Sequence, residues 1–381
     1  MKLPSFIRSG DTIGITAPSF GCTTEPYKSR LEAAVREFRD RGFRVIVGET
    51  CHMDDGFGIS TDPEKTAAEL TDFYLRDDMD AVLSAGGGEM MCATLANLDL
   101  DRLAGAKPKW YMGFSDNTNF IFPMALRGVP GIYGLNAPGF GKVWEEPEED
   151  AYALLTGQKT SFDGYDFVEI REDGDSRKTD PRMPYVPYVK SEKKRLRTFV
   201  PGRPGRKKAG FVSVEADGTI SDSAKTVSAG AAKILRSARS DRKVELDGVM
   251  LGGCLDILEL LCGTRFDTVK EYLRVHGPVI WAIEECDYNI LSYRRALWHL
   301  LEAGWFDTAA GFLIGRPLAA RGQEIFGVDE YRAVTDILAP LGVPVVMDAD
   351  FGHICPQMPL VIGAKAHVTA RGNHLSIQYT I

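Results

Sequence analysis

The sequence predicts an α/β protein whose first part forms a parallel sheet covered by helices on both faces. Short apolar runs alternate with segments that carry apolar residues at helical spacing through the first 155 residues. Glycine-rich or polar turns follow several of these runs, which is typical of strand ends. The length of 381 residues is enough for two domains and a large core.

The first part of the chain alternates strands and helices in order. Four apolar side chains share one face of residues 27–41, which predicts an amphipathic helix that stops at Gly42. Thr61 or Asp62 is expected to cap the next helix. Predicted strands cover residues 11–19, 43–47, 80–84, 109–113 and 131–133, and predicted helices cover 27–41, 63–75, 117–127 and 145–155.

A serine occupies the turn between the strand at 109–113 and the helix at 117–127. The turn Gly113–Phe114–Ser115–Asp116 would hold Ser115 at the carboxyl edge of the sheet, where ligands of open α/β sheets bind. The N–H after the serine would face a helix N-terminus, which stabilises negative charge. This arrangement suits a nucleophile with half an oxyanion hole. The alternative is that Ser115 or Asp116 simply caps the helix.

Three consecutive glycines, Gly86, Gly87 and Gly88, follow the third predicted strand. Glycine lets the backbone approach a ligand closely, and the N–H groups of such a turn can bind an anion. A strand-end turn that requires positive φ explains the same glycines without a ligand. The spacing differs from the Gly-x-Gly-x-x-Gly of a dinucleotide loop, so we expect no cofactor there.

The second part of the chain, from about residue 244, again combines strands with helices. Residues 248–263 are typical of a strand, a glycine turn and a buried helix. Residues 360–381 alternate apolar and polar side chains about Gly372–Asn373, which predicts a terminal hairpin. Further predicted strands cover 278–283, 311–315 and 345–347, and further predicted helices cover 292–302 and 328–341.

Two carboxylates follow the very apolar strand at 278–283. Glu284 and Glu285 would point opposite ways if the strand continues, so only one of them can face a site. Glu284 could be a surface acid, but a charge at the end of a buried strand needs a partner. The sequence leaves the choice between the two residues open.

One histidine of the six stands where a strand ends in a glycine turn. His353 follows Phe351–Gly352, whereas the other five lie in a helix, in the terminal strands or in loops without a glycine-rich frame. A serine hydroxyl needs a neutral imidazole to accept its proton and a carboxylate to orient that imidazole. Ser115, His353 and Glu284 or Glu285 are therefore the candidates for a catalytic triad.

Composition excludes several other classes of protein. The net charge of −8 does not favour nucleic-acid binding, and no apolar run approaches the length of a membrane span. The seven cysteines form no Cys-x-x-Cys pair, which is typical of reduced thiols in a cytoplasmic protein. The first residues lack the apolar region of a signal peptide.

A basic segment interrupts the chain between the two parts. Residues 190–208 contain nine Lys or Arg and a single Glu, and Tyr185 and Tyr188 come just before them. Such a segment is usually a solvated, mobile insertion. An RNA-binding arm is the alternative, which the net acidity of the chain disfavours. Because the segment lies between the candidate serine and glutamate, we expect it to border the site and to hold an anionic part of the substrate.

Taken in order along the chain, these motifs resemble the LD-carboxypeptidase family of serine peptidases, which includes murein tetrapeptide carboxypeptidases and microcin C self-immunity peptidases. No single motif is strong, but the whole set in this order is specific. The resemblance covers most of the chain and rests on Gly10–Asp11–Thr12–Ile13, Ala17–Pro18–Ser19, Gly86–Gly87, Gly113–Phe114–Ser115–Asp116, Gly252–Gly253, Ile283–Glu284–Glu285 with Tyr293 and Arg295, and Gly352–His353.

The resemblance implies roles for individual residues. Ser115 would be the nucleophile, Glu284 the orienting acid and His353 the base. The N–H of Asp116 and an N–H of Gly86 or Gly87 would form the oxyanion hole, and Gly88 and Cys254 would contact substrate. Cys254 stands where many relatives have asparagine, which departs from the family pattern.

The resemblance also implies an N-terminal α/β domain, a smaller C-terminal β-rich domain, a homodimer and no metal. We accordingly predict three regions, at 1–160, 161–245 and 246–381. The predicted activity is hydrolysis of an amide near a free carboxylate, with an L,D-peptide bond of a murein peptide as the leading substrate. The alternatives are a self-immunity peptidase that cleaves a peptidyl-nucleotide and, in a different class, a non-catalytic module that binds a small ligand.

Overall fold

The computed structural model describes residues 1–169, 188–201, 211–214 and 243–381. Within these residues, six strands form a first sheet, whose five N-terminal strands are mutually parallel. Their side chains are mostly buried, as expected for a parallel sheet with both faces covered. In spatial order the strands are β17 (Leu360–Ile362), β5 (Gly131–Tyr133), β4 (Trp110–Gly113), β3 (Ala81–Ser84), β1 (Thr12–Thr16) and β2 (Arg44–Val47).

Helices follow the strands of this first part. The buried face of the first helix includes Leu31, Ala34 and Phe38, which confirms the predicted amphipathic pattern. Asp62 caps the second helix by accepting a hydrogen bond from the Glu64 N–H at 2.8 Å. The helices are α1 (Tyr27–Asp40), α2 (Pro63–Leu75), α3 (Met91–Ala96), α4 (Leu100–Gly105), α5 (Thr118–Leu126) and α6 (Glu146–Leu155), with 3-10 turns at Glu49–His52, Ser115–Asn117 and Ala137–Phe140.

A second sheet contains the four parallel strands β11, β12, β13 and β16 at its centre, with antiparallel strands on both sides. Fold class is therefore α/β with a β-rich second part, as predicted from the sequence. In spatial order its strands are β10 (Phe211–Val214), β9 (Arg197–Pro201), β16 (Val345–Ala349), β13 (Ala309–Gly315), β12 (Val279–Glu284), β11 (Val244–Cys254), β18 (Lys365–Arg371), β19 (His374–Thr380) and β6 (Ser161–Asp163).

Two short strand pairs and several helices complete the second part. The pairs are β14 (Glu324–Ile325) with β15 (Val328–Asp329), and β7 (Phe167–Val168) with β8 (Glu192–Lys193). The helices are α7 (Leu255–Leu261), α8 (Val269–Val275), α9 (Ile290–Glu302) and α10 (Glu330–Leu338), with a 3-10 turn at Ala339–Leu341.

The structure differs from the sequence prediction at the C-terminal end. The hairpin of β18 and β19 turns at Gly372–Asn373 as predicted. The strand β17 before it pairs instead with β5 of the first sheet. A pattern of apolar residues fixes a strand, but it does not fix which sheet edge the strand joins.

The basic segment also differs from the prediction of a solvated insertion, as far as it is described. β9 pairs antiparallel with β16, between that strand and the edge strand β10, and Lys194 is buried. The side chain of Lys194 contacts Asp350, which explains why a lysine is tolerated in the interior. Tyr185, Arg203 and Arg206 lie outside the described residues.

All seven cysteines lie in the described ranges, and no disulfide joins any two of them. No group of three or more His, Cys, Asp or Glu residues in these ranges could hold a metal ion. A search of the same ranges finds no helix whose length and apolar character would let it cross a membrane.

Candidate active site

The turn after β4 presents Ser115 to solvent in a constrained backbone conformation. Phe114 is extended, whereas Ser115 has a φ of 63°, in the left-handed region that is unusual for a residue with a side chain. The Ser115 carbonyl accepts a hydrogen bond from Thr118 Oγ1 at 2.8 Å. The side chain therefore leaves a sharp strand-to-helix turn, as the sequence predicts.

The structure brings Ser115, His353 and Glu284 together, although they are far apart in the sequence. Ser115 Oγ lies 2.9 Å from His353 Nε2. On the other side of the ring, His353 Nδ1 lies 2.8 Å from Glu284 Oε2. Both distances are those of good hydrogen bonds, so the three side chains form one continuous series.

A glycine before the histidine allows the loop after β16 to approach the glutamate. Gly352 has a φ of 103°, and a Cβ at this position would lie 2.9 Å from Glu284 Oε2. Any larger residue would therefore be strained and would collide with the carboxylate. The ring of His353 also packs against Phe114, with 5.2 Å between the ring centroids.

Burial opposes an ion pair between Glu284 and His353, but charge and hydrogen bonding outweigh it and shift both pKa values in the direction that favours the pair. Burial alone would raise the pKa of Glu284, but the charge of His353 and hydrogen bonds from His353, Tyr133 and Cys254 lower it below its usual value. Burial alone would lower the pKa of His353, but Glu284 raises it, helped by Asp256 and Asp287. The imidazole is therefore a stronger base than a free histidine.

The triple-glycine loop lies directly beside the serine. A Cβ at Gly87 would lie 3.2 Å from Ser115 Oγ, so only glycine leaves room there for a bound group. The Gly86 carbonyl accepts hydrogen bonds from Ser84 Oγ at 2.8 Å and Asn117 Nδ2 at 2.9 Å. A Cβ at Gly88 would collide with the buried Ser19 Oγ.

Asp116 contributes its side chain to the support of the turn. Its carboxylate accepts hydrogen bonds from Ser19 Oγ at 2.5 Å, the Met91 N–H at 2.9 Å and Asn119 Nδ2 at 2.8 Å. The side chain is thus turned into the protein, and any contact with a reacting group is left to the backbone N–H.

Glu285 and Cys254 occupy positions beside Glu284 without joining the series. Glu285 is fully buried and accepts a hydrogen bond from the Ala320 N–H at 3.1 Å. Burial raises the pKa of Glu285 to about 7. Cys254 is buried on the neighbouring strand, opposite Glu284, and its thiol lies 3.4 Å from Asp256.

Two groups at the site are absent from the sequence-based prediction. Tyr133, at the end of β5, places its hydroxyl 2.5 Å from Glu284 Oε1. Asp350 is buried between Arg316 and Lys194, close to the loop that carries His353. The only sequence signal for either was its place at the end of a predicted strand.

Acidic side chains lie near enough to His353 to influence its charge. The charges of Asp256 and Asp287 raise the pKa of His353, and the same two charges also raise the pKa of Glu89. Burial, followed by these neighbouring charges, raises the pKa of Glu89. The described surroundings of the serine are therefore predominantly negative.

Ser115 lies in a sharp turn of a parallel sheet and faces a glutamate and a histidine that a second sheet carries. This arrangement defines an α/β serine peptidase. Sequence comparison assigns its family. A model of the LD-carboxypeptidase N-terminal domain matches residues 13–134, and a model of the C-terminal domain matches residues 247–368. The chain therefore belongs to the LD-carboxypeptidase family.

Individual relatives agree with this assignment over almost the whole chain. A Bacillus subtilis protein named "Probable murein peptide carboxypeptidase" is 21% identical over 95% of this chain and 90% of its own length. The fold is similar to that of an MccF-like protein from Bacillus anthracis, with a TM-score of 0.72, 19% identity and 100% of both chains covered. It is also similar to muramoyltetrapeptide carboxypeptidase from Oxalobacter formigenes, with a TM-score of 0.65, 16% identity and coverage of 97% and 99%.

Proposed function

We propose that this protein is a serine carboxypeptidase that hydrolyses an amide near a free carboxylate, with an L,D-peptide bond of a murein peptide as its substrate. The observation that carries the proposal is the hydrogen-bonded series from Ser115 through His353 to Glu284, at 2.9 and 2.8 Å. In such a series the imidazole can accept the serine proton while the carboxylate orients the ring. The name of the Bacillus subtilis relative supports the murein peptide as the substrate class.

The reaction proceeds through an acyl-enzyme. Ser115 Oγ attacks the amide carbon while His353 Nε2 accepts the hydroxyl proton, which gives a tetrahedral intermediate with a negative oxygen. His353 then donates this proton to the leaving amine, and the C–N bond breaks to leave an ester on Ser115. Water hydrolyses the ester with His353 again acting as the base.

Backbone N–H groups stabilise the negative oxygen of the intermediate. The Asp116 N–H is the first candidate, because it begins the helical turn after the nucleophile. Gly87 is favoured over Gly86 as the second donor, since Gly87 lies directly against Ser115 Oγ.

A peptidyl-nucleotide is the second candidate substrate. The observation that favours it is the similarity to MccF in complex with glutamyl sulfamoyl guanosine, at a TM-score of 0.71 and 19% identity. This similarity concerns the fold, so a direct comparison of substrates is required.

The test is to offer both kinds of compound to the protein and to identify the products by mass spectrometry. We expect release of the terminal D-amino acid from a murein tetrapeptide, and slower hydrolysis of glutamyl sulfamoyl guanosine. Ser115→Ala should lower turnover by about 10³-fold or more, because the covalent step is lost. The control Ser376→Ala changes a serine of β19 and should keep full activity.

The outcomes separate the alternatives. Preferential hydrolysis of the nucleoside compound would replace the murein peptide by the second candidate. Amide hydrolysis by Ser115→Ala close to the rate of the unmodified protein would remove Ser115 from the role of nucleophile.

A further inference from the structure

The hydroxyl of Tyr133 connects two members of the series through hydrogen bonds. It lies 2.5 Å from Glu284 Oε1, and the Ser115 N–H points to the same hydroxyl oxygen at 3.0 Å. We propose that Tyr133 is a positioning residue of the catalytic site. Its hydroxyl fixes the position of the Glu284 carboxylate relative to the Ser115 backbone. This inference rests on the proposed function of Ser115 and His353.

The direction of both hydrogen bonds is determined by the groups involved. An ionised carboxylate can only accept, so the tyrosine O–H donates to Glu284. The oxygen is then available to accept from the Ser115 N–H, which can only donate. Burial, together with the Glu284 charge, raises the pKa of Tyr133 well above its usual range, so the hydroxyl keeps its proton.

The glutamate depends on this contact because its carboxylate is buried away from solvent. Glu284 is fully buried, and one of its oxygens is already engaged by His353. Without the tyrosine hydroxyl, the other oxygen of Glu284 would lose its short hydrogen bond. Loss of a hydrogen-bond donor costs free energy when the charge is buried. Tyr133 therefore helps to keep Glu284 ionised opposite His353.

The serine depends on the contact in a different way. Its φ of 63° is unfavourable, and the hydrogen bond from its N–H to Tyr133 helps to retain that conformation. Because the Ser115 N–H is engaged there, the next N–H along the chain, that of Asp116, is the one left for the substrate oxygen.

Tyr133→Phe removes the hydroxyl and keeps the ring, which packs edge-on against Phe114 at 6.3 Å. We expect turnover to fall about 10- to 100-fold, the range that corresponds to one hydrogen bond to a charged group. The acidic limb of kcat/KM should move to higher pH, because the donor that favours the negative charge of the His353–Glu284 pair is gone and the pair binds a proton more readily.

Other groups around the pair remain unchanged in this variant, so they do not produce the shift. They are the acidic side chains of Asp256, Asp287, Glu89 and Glu285, the thiols of Cys254 and Cys286, and the hydroxyl of Tyr293.

A matched control is available in the same chain. Tyr165→Phe also removes a buried hydroxyl bonded to a carboxylate, that of Asp150 at 3.1 Å, but it does not touch the three residues of the series. It should retain the acidic limb of the unmodified protein. Incorporation of 3-fluorotyrosine at position 133 provides a stronger donor and should move the limb to lower pH.

The readout is the pH dependence of Ser115 labelling by a fluorophosphonate, since this reaction does not require the natural substrate. Failure of the unmodified protein to label would contradict the proposed function itself. The role of Tyr133 would be overturned if Tyr133→Phe labelled normally and the acidic limb of its pH profile were unchanged. It would also be overturned if Tyr165→Phe displaced that limb by the same amount. If Tyr133→Phe does not fold, the fluorotyrosine protein decides by the direction of its shift.

Discussion

Ser115 combines a strained backbone with a reactive side chain. A positive φ costs a residue with a side chain about 1–3 kcal/mol, so surrounding contacts must retain it. Thr118 holds the carbonyl of Ser115, Tyr133 holds its N–H, and Asn136 holds the N–H of Phe114 at 3.2 Å. The resulting turn places the hydroxyl 2.9 Å from His353 Nε2.

Glu284 and Glu285 are neighbours in the sequence with different environments. Both oxygens of Glu284 contact donors, from His353 and Tyr133. Glu285 lies just past the end of β12, where burial raises its pKa to about 7, so near neutral pH it is partly protonated. The two carboxylates therefore have different partners, since Glu285 accepts from the Ala320 N–H whereas Glu284 contacts His353 and Tyr133.

Substitution of each glutamate by glutamine should give unequal effects. In Glu284→Gln the amide N–H₂ would face a donor on His353 or on Tyr133, so we expect turnover to fall by about 10³-fold or more. In Glu285→Gln the amide oxygen can still accept from Ala320, and we expect a change of less than about 10-fold. Steady-state kinetics of both variants on one substrate test this. The opposite pattern would transfer the orienting role to Glu285.

At the scale of single residues, the sequence predicted the candidate site residues that follow apolar strands in glycine turns. Ser115 and His353 have this signature, and the structure places them in contact. Tyr133 lacks it, because an aromatic residue in a strand is usually part of the core. Only the pairing of β5 with β4 and the approach of the second sheet place its hydroxyl beside Glu284.

At the scale of elements, the loop after β16 is held by a buried group of three charges. Asp350 contacts Arg316 Nη1 at 2.8 Å on one oxygen and Lys194 on the other. Arg316 Nη2 also donates to the carbonyls of Ile354 and Pro356, at 2.9 and 2.6 Å. These contacts fix the loop on both sides of His353.

Lys194 links the basic segment to this loop, and we expect its removal to be measurable. Lys194→Met deprives the buried Asp350 of one cation, while Arg316 remains as its partner. We expect a loss of about 1–3 kcal/mol in the free energy of unfolding, measured with urea. The control Lys193→Met changes an exposed neighbour and should stay within about 0.5 kcal/mol. Equal losses in the two variants would contradict a structural role for Lys194.

The sequence could not predict this element because its local composition indicates solvation. Lys194 lies among other basic residues, and nothing nearby in the chain shows that it is buried. Its environment is set by Asp350, which belongs to a distant strand end. The same limit applies to β17, whose partner β5 in the first sheet is far away in the sequence.

At the scale of the whole molecule, the serine and its partners come from different sheets. Ser115 follows β4 of the first sheet, while Glu284 ends β12 and His353 follows β16 of the second. A contact between the two parts lies beside the site, where the Cys254 N–H donates to Thr118 Oγ1 at 3.0 Å. The distance from Ser115 to His353 therefore depends on how the two parts pack together.

The net charge of the molecule opposes the substrate that we propose. The chain carries a net charge of −8, and Glu89, Asp256 and Asp287 add negative charge close to His353. A substrate with a free carboxylate would be repelled by this field, unless cations near the site offset it. The basic segment is the candidate source of those cations. Arg197 is already engaged with Asp348 and with the ring of Tyr331, so other arginines must supply them.

We therefore predict that Arg195, Arg203 and Arg206 help to hold the anionic part of the substrate. Replacing all three by glutamine should raise KM roughly 3- to 10-fold at low salt, with kcat changed less than about 2-fold, since the contact is the same before and during reaction. The difference should shrink as salt is added, because the screening length falls to about 8 Å at physiological ionic strength.

A matched variant distinguishes a local contact from the effect of net charge. Replacing the exposed residues Arg8, Arg36 and Arg274 by glutamine changes the net charge by the same amount on other surfaces. If the prediction is correct, this control keeps the KM and the salt dependence of the unmodified protein. An equal rise of KM in both variants would assign the effect to net charge, and an unchanged KM in the first would exclude those three arginines from substrate binding. The measurement is KM for the murein tetrapeptide at several salt concentrations, with each variant compared at the same pH.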